Sequence, residues 1–170
     1  MLKLHHLLVI IIATACSSEH STKTKLNYLR WIGDIEFDST LDNPDFELCH
    51  GESSVNQYFN FEQGLQYEGE KKSIIDEFDN KYQPIQSNES GLIRIRFIVN
   101  CKGETDRFRI LTMDKYFDEK EFDPRIINQL LRITKGLNGW KILPNTEEAR
   151  DYYQYLIFKI EAGNIVEILP

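Results

Sequence analysis

"GLIRIRFIVNCKGETDRFRILTMD", residues 91–114, alternates twice about a polar centre. Ile93, Ile95, Phe97 and Val99 recur at every second position, and Phe108 and Ile110 continue the pattern beyond the centre. A period of two puts those residues on one face of an extended chain. Asn100 to Gly103 supply the turn residues between the arms. The stretch therefore predicts a β-hairpin with one buried face. Its other face carries Arg94, Arg96, Arg107 and Arg109. With the turn at Asn100–Gly103, Arg94 is expected opposite Arg109, and Arg96 opposite Arg107. Directly opposed like charges are destabilising, so something must offset them.

Outward from the hairpin the period changes. On the N-terminal side "EKKSIIDEFDNKY" spaces Ile74, Phe78 and Tyr82 four apart, with Ile75 beside them, which is one stripe of a helix. On the C-terminal side "DPRIINQLLRITKG" is a helix with both ends marked. Asp123 suits the N-cap, Pro124 the first helical position, and Gly136 the C-terminal stop. Ile126, Leu130, Ile133 and Leu137 form its apolar stripe. Then follow "GWKILP", a long strand "YYQYLIFKI", a turn at "EAGN" and a short strand "IVEIL". Leu156, Phe158 and Ile160 alternate inward on the long strand, while Tyr153, Tyr155 and Ile157 line its other face. The order helix-strand-strand-helix-strand-strand predicts an α+β fold, a small antiparallel sheet packed against helices. Trp140, between helix end and strand, reads as core.

Residues 26–66 are an N-terminal extension expected to pack on this domain. "LNYLRWIGDIEFD" is rich in aromatic and β-branched residues and suggests a strand. "STLDNPDFELC" is turn-rich. Its acids at 38, 42 and 45 lack the spacing and central glycine of a calcium loop, and read as solvated loop charges.

At the start, Lys3 precedes an apolar run from Leu7 to Ile12, followed by Ala13-Thr14-Ala15 and then Cys16. A charged start, a short apolar middle and a small-residue site describe a secretory signal over residues 1–15. The run is too short to span a bilayer. A cysteine directly after small residues resembles the lipobox of bacterial lipoproteins, with Ala13 standing where many lipoboxes carry leucine. That resemblance implies that Cys16 carries the lipid, acyl chains such as palmitate, and that residues 16–25 form a flexible tether. Several acyl chains hold a protein on a membrane far more firmly than one. An ordinary signal peptide with an incidental cysteine is the alternative.

Loss of residues 1–15 removes one basic residue, Lys3, and no acid, leaving 19 Lys and Arg against 27 Asp and Glu, a formal charge of −8. Such a balance argues against a nucleic-acid partner, which needs basic contacts to phosphate. Export places Cys49 and Cys101 in an oxidising compartment, where a disulfide is the default for a pair. Two free thiols, or a catalytic Cys49 activated by His50, are the alternatives. Neighbouring residues of an extended chain point to opposite faces, which places Cys49 and His50 poorly for sharing a proton. No nucleophile elbow, HExxH, CxxC or glycine-rich phosphate loop occurs. No catalytic residue, cofactor or metal site is expected, and nothing in the pattern specifies an oligomeric state.

Residues 67–170, about three fifths of the chain, resemble the C-terminal domain of TonB in its Bacteroidetes-type version. The matching pieces are "YEGEKKSIIDEF", Ser90-Gly91 entering "IRIRFIVNCKGE", Asp123 opening the long helix, Trp140 followed by Pro144, and the closing "FKIEAGNIVEILP". The resemblance implies recognition of an extended peptide by addition to a sheet edge, here the strand carrying Tyr153, Tyr155, Ile157 and Lys159. The chain departs from TonB in having a lipid signal instead of an inner-membrane helix, and a short tether instead of a proline-rich spacer. Its "NIVEIL" could also fold back and occupy the edge a peptide needs. These features lead to the expectation of a non-enzymatic lipoprotein of a Gram-negative cell envelope, facing periplasm or cell surface. Its expected partners are the membrane, through the lipid, and an envelope protein or extended peptide. The alternative is an accessory part of TonB-dependent uptake. Arg94, Arg96, Arg107 and Arg109 are a candidate anion patch if acids of neighbouring strands or of residues 26–66 do not neutralise them.

Overall fold

A computed structural model describes residues 33–57, 65–144 and 149–169. Cys16, the signal and the tether lie outside the described residues. The hairpin is β1 (Gly91–Val99) and β2 (Thr105–Met113). Asn100 N–H donates to the Glu104 carbonyl and Gly103 N–H to the Asn100 carbonyl, both at 2.9 Å. Gly103 has φ +79°, the left-handed residue that completes a three-residue hairpin loop. The buried Asn100 side chain accepts from the N–H groups of Lys102 and Glu104, which holds this loop in one shape.

The register differs from the expected one. Val99 faces Thr105 and Ile98 faces Asp106, then the pairing slips so that Arg96 faces Arg109 and Arg94 faces Leu111. Two β2 residues lie across from Phe97 alone, and one of them, Arg107, sits at φ +58°. That is a β-bulge, with the extra residue turned out of the ladder. A single like-charged pair, Arg96 with Arg109, remains directly opposed.

β5 (Tyr152–Glu161) pairs antiparallel with β1, and β6 (Asn164–Leu169) with β5, giving the order β2-β1-β5-β6. Ala162 and Gly163 link β5 to β6 with φ +48° and +77°, the double positive φ of a tight hairpin turn. At Gly163 a side chain has no room, since a Cβ would lie 1.8 Å from the Ile85 carbonyl oxygen. A two-stranded ribbon, β3 (Leu143–Pro144) with β4 (Ala149–Arg150), precedes β5 and was not expected.

Two helices cover one face of the sheet. α1 (Glu70–Lys81) buries Ile74 and Phe78, and α2 (Pro124–Lys135) buries Ile126, Leu130 and Ile133. Asp123 caps α2 by accepting from Arg125 N–H at 2.8 Å. Gly136 ends the helix in an ordinary right-handed conformation. The helices meet Ile93, Ile95, Phe97, Val99, Leu156, Phe158 and Ile160 from the sheet, each at most 1% exposed. Phe78 lies against Phe158 at 4.7 Å, and Trp140 stands edge-on to Phe97 and Tyr67. Burying side chains of this size stabilises by about 1.5–3 kcal/mol each.

Residues 33–57 lie on the other face. Ile35, Val55, Ile98 and Tyr153 form a second, smaller core there, flanked by Phe46 and Leu48. This part of the extension holds one short 3-10 turn, Glu52–Ser54, and the strand expected from residue 26 is absent from 33–38. Its backbone bonds partly within its own turns and partly to side chains. Asp42 accepts from Asp38 N–H, Asp106 from Asn43 N–H, and Asp151 from His50 N–H.

Candidate functional site

The second face of the sheet gathers the residues the sequence singled out. Even positions of β1 and odd positions of β5 point to it, with Arg94 opposite Ile157 and Arg96 opposite Tyr155, and each arginine leans diagonally onto a tyrosine. The Arg94 guanidinium sits 4.3 Å from the Tyr155 ring centre, and that of Arg96 lies 5.6 Å from the Tyr153 ring centre. Such stacking places a weakly hydrated cation on an electron-rich ring face. Both arginines are buried, and Arg96 donates to the Gly33 carbonyl at 2.7 Å. Burial, and then the neighbouring Arg96 charge, brings Arg94 down to about 10, so it remains a cation at neutral pH.

The β2 arginines are matched by carboxylates from the extension. Arg107 makes two bonds of 2.6 Å to Glu52 and a third, of 3.2 Å, to the Ile35 carbonyl. Arg109 makes two bonds of 2.7 Å to Asp42 and one to the Glu36 carbonyl. Each guanidinium presents its fork to one carboxylate, the strongest geometry available to such a pair. Hydrogen bonds from Arg107 and Arg109 hold Glu52 and Asp42 below the usual carboxylate range, and both arginines rise correspondingly. Of the three acids read as solvated, Asp42 is instead buried. Arg109 and the Asp38 N–H together replace the water it has lost.

Cys49 and Cys101 form a disulfide with a Cα separation of 6.1 Å. It ties the extension to the hairpin turn. Beside it the buried Asp151 carboxylate accepts from His50 N–H at 3.0 Å and Cys101 N–H at 2.9 Å. Cys49, Cys101 and Asp151 converge within 4.8 Å, a spacing that would suit a metal. The two sulfurs are bonded to one another, however, and both carboxylate oxygens accept backbone N–H groups. The trio serves as a structural tie. The Cys49 sulfur is thereby consumed, and His50 turns its Nε2 to the Ala149 carbonyl at 2.6 Å.

The strand expected to form a recognising edge runs inside the sheet. β6 is bonded to β5 from Ile157 to Glu161, and Asn56 bridges Tyr152 in parallel at the other end. "NIVEIL" has folded back onto the long strand, because a two-residue turn leaves it no other neighbour. Of the proposed edge residues, Tyr153 is buried under Ile35, Tyr155 and Ile157 are half-buried, and Lys159 is exposed and paired with Glu161. Burial holds the Tyr153 hydroxyl above its usual range.

At the opposite margin, β2 lies at the foot of a groove of about 830 Å³. Asp34 to Ser39 and Leu41 form one wall, and Leu131 and Lys135 of α2 the other. Phe37 and Leu41 are among the most exposed large apolar residues described, at 49% and 61%.

Comparison with known proteins finds no matching family model, no matching curated protein and no matching solved structure.

Asp42, Glu52 and Asp151, which organise this face, carried no distinguishing mark in the sequence. The four-arginine cluster was the available signal, since opposed cations on a sheet call for acids nearby.

Proposed function

We propose that the protein is a lipid-anchored component of a Gram-negative cell envelope, non-enzymatic, whose TonB-C-like α+β domain serves as a protein-binding or scaffold module. The observation that carries the reading is the fate of β5. Its margin is occupied by β6, and its second face by residues 33–57 of the same chain. A domain whose recognition strand is filled from within is suited to holding a shape more than to taking a transporter peptide on that strand. The disulfide supports an exported location, because such bonds persist in oxidising compartments. No helix among the described residues is long and apolar enough to cross a membrane, so attachment in this reading falls to lipid on Cys16.

The alternative is an accessory of TonB-dependent uptake that binds a transporter peptide by β-augmentation. On the β5–β6 side of the sheet it would have to use the outer margin of β6, where Val166 is 49% exposed. A Cys16→Ser variant tests the anchored reading directly. It is expected to leave the membrane fraction of its native cell, whereas an unchanged distribution between membrane and soluble fractions would refute the anchor.

A further inference from the structure

The margin of the sheet away from β6 is β2, and its backbone is only partly occupied. The Thr112 carbonyl accepts from Lys120 N–H at 3.2 Å, so Thr112 points away from β1. The register from Met113 to Arg109 is regular. Residues two and four positions earlier, Ile110 and Phe108, therefore point outward as well. The Phe108 carbonyl takes a bond from Arg109, at 3.0 Å. Among the described residues no group is bonded to the outward N–H and C=O of Ile110. Native sheets rarely leave such an edge beside apolar side chains without a cover or a charge on it.

The groove around this edge has two unlike walls. The extension contributes the acidic residues Asp34, Glu36 and Asp38 together with the exposed Phe37 and Leu41. Asp38 Oδ1 accepts from Thr40 and Asp34 Oδ1 from the Tyr153 hydroxyl, and the negative charge of both remains. α2 brings Leu131 and the stem of Lys135, whose ammonium lies 5.1 Å from the Phe108 ring centre. Three cations lie on the extension side. Arg109 is matched by Asp42 and Arg107 by Glu52, while Arg96 is buried against the Gly33 carbonyl and the Tyr153 ring, which leaves the acids of residues 34–38 in excess at the rim. We infer that this groove binds an extended peptide as a further strand on β2, with apolar side chains toward α2 and basic side chains at alternate positions toward the extension. The occupant follows from the walls. Successive residues of a strand point to opposite sides, and here one side is apolar while the other is acidic. The open stretch ends at Lys120 on one side and at Asn43, which donates to Asp106, on the other. Recognition is thus confined to a short segment. This inference rests on the protein-binding reading and names its site and ligand class.

The probe is a short blocked peptide alternating lysine with leucine, carrying a fluorophore and titrated with the full chain while anisotropy is read. Saturable binding is expected. It should weaken by about tenfold or more when glutamate replaces lysine, and likewise when the leucine amides are methylated, which removes backbone donors. Leu41→Lys places a cation in the acidic wall at an exposed position, and should weaken binding by about tenfold while circular dichroism stays unchanged. Val166→Lys, on β6, should leave binding within about twofold. Loss through Val166→Lys with none through Leu41→Lys would overturn this site and leave peptide binding at the other margin standing. Equal affinity for the glutamate peptide, absence of saturation, or a dimer that forms through β2 and excludes the peptide would each overturn the inference. None of these outcomes bears on the lipid, which the Cys16→Ser fractionation reads separately.

Discussion

The Asp42–Arg109 pair should behave asymmetrically when each partner is removed. The Asp42 side chain is 1% exposed and that of Arg109 is 26% exposed. Removing Arg109 leaves a buried carboxylate with only the Asp38 N–H as donor. Removing Asp42 leaves a guanidinium that still reaches solvent and still donates to the Glu36 and Phe108 carbonyls. Breaking a fully buried pair costs about 3–5 kcal/mol, and partial exposure of one partner lowers that. Arg109→Ala should therefore destabilise by about 3 kcal/mol and Asp42→Ala by about 2 kcal/mol, with the double variant well short of their sum. Urea denaturation followed by circular dichroism measures all three, and the cycle yields the coupling. The pH dependence supplies a second signature. Hydrogen bonds from Arg109 hold the Asp42 carboxyl below the usual carboxylate range. The stabilisation is then complete above the unfolded-state pKa of about 4, and is lost as pH falls through the depressed folded value. The double variant should lack that acid-side loss. Additive single effects, or a smaller cost for Arg109→Ala than for Asp42→Ala, would show that Asp42 and Arg109 do not hold one another in this way.

Replacing both Cys49 and Cys101 by serine opens a link across 52 residues of sequence separation. On the chain-entropy account this should lower stability by about 4 kcal/mol, read as a fall in urea midpoint. Phe78→Ala empties a site 1% exposed against Phe158 and should cost about 3–5 kcal/mol by the same assay. Gly163→Ala forces a side chain onto the Ile85 carbonyl at φ +77° and should cost about 2–4 kcal/mol, visible as a lowered melting temperature.

The elements that could be read in advance are those with a strong local period. Ile93 to Val99 alternate strictly, Ile74 and Phe78 repeat at helical spacing, and Asp123-Pro124 announces a helix start, because in each the local preference agrees with the burial the fold imposes. The disulfide was legible from the pair of cysteines together with the expected export. The bulge at Arg107 was not, because arginine gives no local sign of a left-handed backbone and a bulge is chosen by packing across strands. The same is true of Asp42. A carboxylate in a turn-rich stretch looks solvated until the arginine that buries it is placed by a strand 67 positions away. The position of β5 inside the sheet depended on whether β6 folded back. A period of two predicts a strand but is silent about its neighbours.

The proposed export and lipid anchor can be read together with the Cys49–Cys101 disulfide in a single experiment. It is the intact mass of the protein taken from its native membrane, with and without reductant before thiol alkylation. A lipid-anchored, disulfide-stapled protein should begin at Cys16 with added acyl mass and carry two further cysteines that alkylate only after reduction. A chain without acyl mass would contradict the anchor, and one whose Cys49 alkylates before reduction would contradict the disulfide.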